Sequence, residues 1–197
     1  MKYFAFVLFG ILLAVIAYFG YTKGLKFVGI SKTPAATIST SPAVSLTPTP
    51  TNVPSKTVSG GGILSFPKYQ MALPLDWSDS KESQTKDDQK LILKKGVYQI
   101  SITQGGFGGA ICLFLGDPDT EGPSGRYDVY VDLTSKSGNV FRRVGTLGKG
   151  GFSICEKTQY GWGTPSTYGH ISILTPDTPD PKILEEIDTI ISSITKI

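Results

Sequence analysis

The side chains of this 197-residue chain with most capacity for chemistry are Cys112, Cys155, His170 and the adjacent Arg142 and Arg143. A thiolate within reach of an imidazole is a nucleophile with a proton carrier, and a nearby guanidinium can steady an oxyanion. Both cysteines lie in β-rich runs, AICLFL (110–115) and GFSICEKT (151–158), 43 positions apart. In an oxidising compartment two such residues form a bridge, and closing a loop of that size stabilises the fold by about 4 kcal/mol on the loop-entropy argument. The alternative is two buried thiols acting as small hydrophobes. The Cys112–Cys155 bridge is the reading adopted.

Three further constellations carry chemistry. The turn Asp117-Pro-Asp119-Thr-Glu121-Gly122 places oxygen ligands at positions 1, 3 and 5, Gly at 6 and Asp128 at 12, the spacing of a calcium loop. Pro118 and Pro123 constrain its backbone, Asp replaces the usual bidentate Glu, and strands flank it where helices are expected. A solvated acidic turn is therefore preferred, and the expected cofactor is none, with calcium at Asp117, Asp119, Glu121 and Asp128 as the alternative. The segment QYGWGTPSTYG (159–169) sets Trp162 between two glycines, with Tyr160 and Tyr168 close by. Such a loop can present rings to a glycan or a peptide, or fold them back to close one end of a sheet. Tyr160, Trp162 and Tyr168 are the candidate ligand-binding residues. The Gly runs GGFGGA and GKGG lack phosphate-loop spacing and read as bends or bulges.

An anchored β domain carrying Cys, His and Arg is similar to the sortase transpeptidases. The resemblance implies Cys155 as nucleophile, His170 as proton carrier and Arg142 or Arg143 at an oxyanion. Sortases place His before Cys and Arg after it, and FSIC stands here where they have TLxTC. The catalytic set is incomplete, and the expectation is a non-enzymatic protein, with a Cys-dependent envelope transpeptidase as the alternative.

These residues must be positioned by what the rest of the chain builds. No Asp or Glu occurs before Asp76, while Lys2, Lys23, Lys26, Lys32 and Lys56 all do. From Ser59 onward there are 14 basic and 16 acidic residues, so the overall +3 belongs to the first 58 positions. Nothing there or beyond makes the basic surface that nucleic acid requires. Residues 3–21 are nineteen uncharged, largely apolar positions with aromatics at both ends. As a helix they would be roughly 28 Å long, enough to cross a bilayer. An uncleaved signal anchor is preferred to a signal peptide cut after Ala17. No cysteine follows for a lipid anchor, and the acidic residue of a pilin helix is lacking. Gly10, Ala14 and Ala17 form a small-residue face on that helix, suited to self-association or simply typical of membrane helices.

Residues 31–57 are mostly Ser, Thr, Pro and Ala, with no acid and no aromatic. Such a tract cannot bury enough apolar surface to offset the entropy of ordering it. It reads as a stalk holding a domain outside the membrane. The expected organisation is a transmembrane anchor at 1–30, a disordered linker at 31–58 and an extracytoplasmic domain at 59–197. The expected location is the cell membrane, single-pass, with the C-terminal domain outside. The expected partners are the membrane and a protein or cell-wall glycan.

Within 59–197, alternation in KYQMAL, KLILK, VYQISIT, RYDVYVDL, NVFRRVGT, GFSICEKT and TYGHISILT predicts strands, and the second and third of these a hairpin turning at Lys95 and Gly96. Short connections predict antiparallel pairing. Asp180 and Pro181 open a C-terminal helix whose apolar stripe is Ile183, Leu184, Ile187, Ile190, Ile191 and Ile194. The fold class expected is α+β, an antiparallel sheet with the C-terminal helix packed on one face, preceded by the transmembrane helix and stalk. The opening strand with its Pro and Trp (Tyr69, Met71, Leu73, Pro74, Trp77), the hairpin and the final helix resemble the PsbP family. That resemblance implies an antiparallel sheet between helices, in an anchored extracytoplasmic setting for bacterial relatives. The middle of the chain departs from it: GGFGGA and the acidic turn stand where that family has a helix.

Overall fold

The computed structural model describes residues 54–83, 85–106, 108–118 and 125–197. The apolar run at 3–21 and the tract up to residue 53, with the anchor and the stalk expected there, lie outside the described residues. So does most of the acidic turn.

Alternation decides which side chains are buried. In β2 (Lys68–Pro74), Tyr69, Met71 and Leu73 face the core at 2% exposure or less while their neighbours face out. In β4 (Gln89–Lys95) Leu91 and Leu93 do the same, and in β5 (Tyr98–Gln104) Ile100 and Ile102. The β4–β5 hairpin closes through Gly96 and Val97, one residue later than the sequence suggests. Gly96 has φ 57°, a left-handed conformation that costs glycine least.

Nine strands form the main sheet. Its central path runs β3 (Ser78–Glu82), β4, β5, β13 (His170–Leu174), β11 (Phe152–Thr158), β10 (Val140–Gly145) and β9 (Val129–Thr134). On the side of β11, β12 (Gly161–Thr164) pairs with it and β6 (Ala110–Ile111) pairs with β12. A smaller sheet joins β1 (Ser55–Gly61), β2 and β14 (Thr195–Lys196). Every pairing in these two sheets is antiparallel. β7 (Leu113–Phe114) and β8 (Arg126–Tyr127) pair in parallel, a departure from the expected all-antiparallel arrangement. The strand expected over 110–115 is therefore two short strands in different sheets.

Helix α1 (Pro181–Ser192) is the only helix among the described residues. Asp180 caps it by accepting the Lys182 N–H at 2.9 Å, and Pro181 sits in the first turn. Its Ile187, Ile190 and Ile191, with Ile194 just beyond, share one core with β2, β4, β5, β13, Phe141 of β10 and Ile154 of β11. Ile183 and Leu184 pack on that core's rim. The α+β architecture with a C-terminal helix is present as expected.

Polar contacts fix the helix over the sheet. Arg143 of β10 reaches Asp188 through Nε to Oδ1 at 2.6 Å and Nη2 to Oδ2 at 3.0 Å, with side chains 8% and 17% exposed. Burial pushes the Asp188 carboxyl above its ordinary range, and the Arg143 guanidinium pulls against that. Lys95 lies between Asp76 (2.7 Å) and Glu186 (2.6 Å), and Glu186 also accepts the buried Trp77 indole N–H at 3.1 Å. Burial draws the Lys95 ammonium down, but its bonds to Asp76 and Glu186 outweigh this and hold it above the ordinary lysine range. Tyr69, Met71, Leu73 and Trp77, which carry the PsbP-like motif, are thus core residues.

The linker boundary is corrected. Ser55, Lys56, Thr57 and Val58 belong to β1, paired with Pro74 to Met71 of β2, rather than to a disordered tract. This strand is a polar one in which Val58 is the one buried hydrophobe, so its sequence carries no alternation signal. Polar composition also hid β3, while β12 and β14 are too short for a periodic pattern.

Removing one partner of a buried ion pair strands the other, at a cost of about 3–5 kcal/mol, whereas replacing both with apolar residues is near neutral. Arg143→Met is expected to lose about that much in urea unfolding, and Arg143→Met with Asp188→Leu to recover most of it. The raised Asp188 carboxyl adds stability that is complete below the unfolded carboxylate range and lost as pH rises through the folded value. In Asp188→Asn that loss should be missing from urea midpoints measured between about pH 4 and 7.

Candidate functional site

Successive residues of a strand face opposite sides of the sheet. Arg143 and Phe141 of β10 face the helix, so Arg142 and Val144 face away from it. Arg142 lies opposite Cys155 of β11 and Asp132 of β9, and Val144 opposite Ser153 and Tyr130. On this second face a smaller core gathers Cys112, Phe114, Val144 and Cys155, with Tyr127 and Trp162 packed against it.

The Cys112–Cys155 disulfide is formed, with Cα atoms 6.4 Å apart. It ties the short stretch between β6 and β7 to β11. The tie is reinforced by the Cys112 N–H donating to the Trp162 carbonyl at 3.0 Å, while Arg126 Nη1 donates to the Phe114 carbonyl at 2.8 Å and joins β8 to β7.

Arg142 is the centre of an aromatic cage. Its guanidinium carbon lies 4.0 Å from the Tyr130 ring centroid, 4.1 Å from Trp162 and 4.6 Å from Phe114. Phe114 meets Tyr130 and Trp162 edge to face at 5.4 and 6.3 Å. The charge is balanced by Asp132, which accepts from Nε at 2.6 Å and Nη2 at 3.0 Å. A guanidinium this enclosed cannot also serve an oxyanion, and Arg143 is committed to Asp188 on the opposite face. Cys155 is fully buried in the disulfide and has no thiol to ionise. His170 stands on β13 opposite Thr103.

The three candidate ligand residues are separated. Trp162, partly buried, belongs to β12 opposite Lys157 rather than to a loop. Tyr160 is at the β11–β12 turn with 89% of its surface exposed. Tyr168 is corrected to a core residue: it is 1% exposed, meets Tyr69 and Phe141 edge to face, and its hydroxyl contacts Asn139 Oδ1 at 3.2 Å. The tight Ser166–Gly169 turn directs it inward. Gly169 there has φ 115°, and a Cβ would sit 2.5 Å from the Thr103 carbonyl oxygen, so no other residue fits.

Of the calcium-loop residues, Asp117 Oδ2 accepts the Phe114 N–H at 2.7 Å and Asp128 Oδ1 accepts the Leu147 N–H at 2.7 Å. Asp119 and Glu121 lie outside the described residues. Among the described residues no group of three or more metal-ligating side chains converges. An open groove of about 310 Å³ flanks the smaller core, lined by Tyr127, Val144, Phe152, Ser153, Lys149 and Ile173. The GKGG turn beside it uses its own amides, Gly150 N–H donating to Asp177 and Gly151 N–H to Thr175.

Sequence reasoning missed Phe114, Tyr130 and Asp132. The alternation of β9 and β10 contained the signal, but only the register brings Tyr130, Asp132 and Arg142 onto one face. Comparison of the chain with protein-family models, curated proteins and solved structures returned no match to any of them.

Two outcomes follow for this site. The unfolded, unreduced chain is expected to show no thiol reactivity and two reactive thiols after reduction, and Cys112→Ala with Cys155→Ala to lose about 4 kcal/mol in urea unfolding. Removing the cation from the cage by Arg142→Ala should cost about 1–3 kcal/mol and free the Trp162 ring. On chain labelled with 5-fluorotryptophan, a neutral paramagnetic gadolinium chelate should broaden the Trp162 fluorine resonance more than in the parent and leave buried Trp77 unchanged.

Proposed function

We propose that the chain is a membrane-anchored extracytoplasmic domain of non-enzymatic type that binds a protein or cell-envelope component at the rim of the disulfide-tied aromatic cluster. The observation that carries the reading is the set of apolar side chains left exposed there. Tyr130 and Tyr160 are 51% and 89% exposed, and Ile111 and Leu115, each adjacent in sequence to a cluster residue, are 66% and 71% exposed. Exposed aromatic and aliphatic side chains on a rigid support are what a protein or glycan surface docks against.

Location is supported from two sides. A disulfide persists in oxidising compartments, and residues 3–21 with the Ser/Thr/Pro tract have the composition of an anchor and stalk. The order of opening strand, hairpin and final helix supports the PsbP-like reading of the fold, with the β6–β8 excursion in place of that family's helix. A Cys-dependent transpeptidase would need Cys155 reduced and exposed.

The test places a photocrosslinking residue at Tyr160 of the full chain in intact cells, with Val97, at the β4–β5 turn, as the control position. A discrete crosslinked envelope species from position 160, lost in the Trp162→Ala chain, is expected. Identical crosslinking from both positions would sink the assignment of the rim, and labelling of Cys155 by an electrophile without prior reduction would favour the enzyme.

A further inference from the structure

The two ends of the main sheet's central path are built differently. β3 reads SDSKE and is exposed throughout, with Asp79, Lys81 and Glu82 supplying the charges that discourage edge-to-edge pairing. β9 reads VYVDLT, with neither Lys nor Pro. Its one charge, Asp132, is already held by Arg142. Tyr130 and Val131 are 51% and 41% exposed, and no described segment pairs with the outer side of the strand. A six-residue edge rich in β-branched and aromatic residues, without a blunting charge, is a template for another strand.

We propose that β9 pairs with β9 of a second copy of this chain, antiparallel about a two-fold axis at Val131. The residues select both partner and register. Two-fold antiparallel pairing keeps each copy's faces on the same side, so the axis must fall at a residue and pairs alternate between the faces. Five pairs within the strand form only if the axis falls at Val131 or at Asp132. The Asp132 register sets two carboxylates directly opposite each other, which is destabilising. The Val131 register sets Val131 against its own copy, Val129 against Leu133, and Tyr130 against Asp132. The tyrosine hydroxyl then lies on the same face as a carboxylate that can accept from it. Pairs of this kind, aliphatic on aliphatic and donor beside acceptor, stabilise a strand pair beyond its main-chain bonds. The two cages would become neighbours across a continuous sheet.

The disulfide occupies both native cysteines, so a cysteine introduced by Val131→Cys is the one free thiol of the chain. At the axis it meets its own copy within bridging distance. From Val129→Cys the two thiol-bearing residues would be about 14 Å apart, beyond bridging. In full-length chain in detergent, mild oxidation is expected to give covalent dimer from Val131→Cys and not from Val129→Cys. Sedimentation equilibrium should show a dimer whose dissociation constant rises at least about tenfold in Val131→Lys, which sets two ammonium groups face to face. A chain that is monomeric throughout would overturn the proposal. So would a dimer unaffected by Val131→Lys, since that association would run through another surface such as the Gly10, Ala14 and Ala17 face. Equal crosslinking at 129 and 131 would overturn the register. Both positions are at the exposed edge, and an unchanged urea midpoint separates loss of pairing from loss of fold.

Discussion

Everything distinctive about this domain depends on the two-residue period of β10. Two arginines in succession must point to opposite faces of the sheet, and each finds a carboxylate there: Asp188 on the helix side, Asp132 on the other. The first pair holds α1 over the main core. The second holds a guanidinium among three rings. Because both bonds are bidentate, they fix orientation as well as proximity, which a lysine could not do. A shift of β10 by one residue would move one arginine into the other's place and set Val144 or Phe141 against the remaining carboxylate, so the register of the sheet and the position of the helix are specified together.

The two faces do different work. The helix face is a large apolar core in which tyrosine, tryptophan and methionine of β2 and the loop after it meet four isoleucines from the C-terminal segment. Its stability comes mainly from burial. The opposite face has too few apolar residues to bury itself. It is closed instead by a covalent tie, by the Arg142 cage and by the main-chain bond from Cys112 to Trp162. A covering layer held in this way can keep apolar side chains exposed at its rim, because the layer's position does not depend on burying them. The proposed recognition role of the rim rests on that freedom.

Much of the fold was legible from alternation. β2, β4, β5, β10, β11 and β13 lie where apolar residues recur at every second position, and α1 starts at the Asp180-Pro181 cap and carries the predicted stripe. What was not legible lacked a periodic signal. β1 and β3 are polar strands stabilised by their neighbours' hydrogen bonds rather than by their own hydrophobes. The run 110–115 reads as one strand but is broken at Cys112, whose sulfur turns inward to Cys155 while its N–H meets β12. Tyr168 follows Trp162 by only six positions, and nothing local shows that the Gly169 turn sends it into the opposite core.

Local chemistry alone therefore determined the class of the domain, its helix with cap and stripe, most of its strands, and the identity of the only two residues able to form a disulfide. These follow from side-chain periodicity and from residue counts, which need no knowledge of neighbours in space. The tertiary structure alone decided which arginine serves which face, which aromatic residues meet, and which of the tyrosines near Trp162 is exposed. The physical reason is that strand pairing sets face and register between segments far apart in sequence, and a change of one position moves every side chain to the other side.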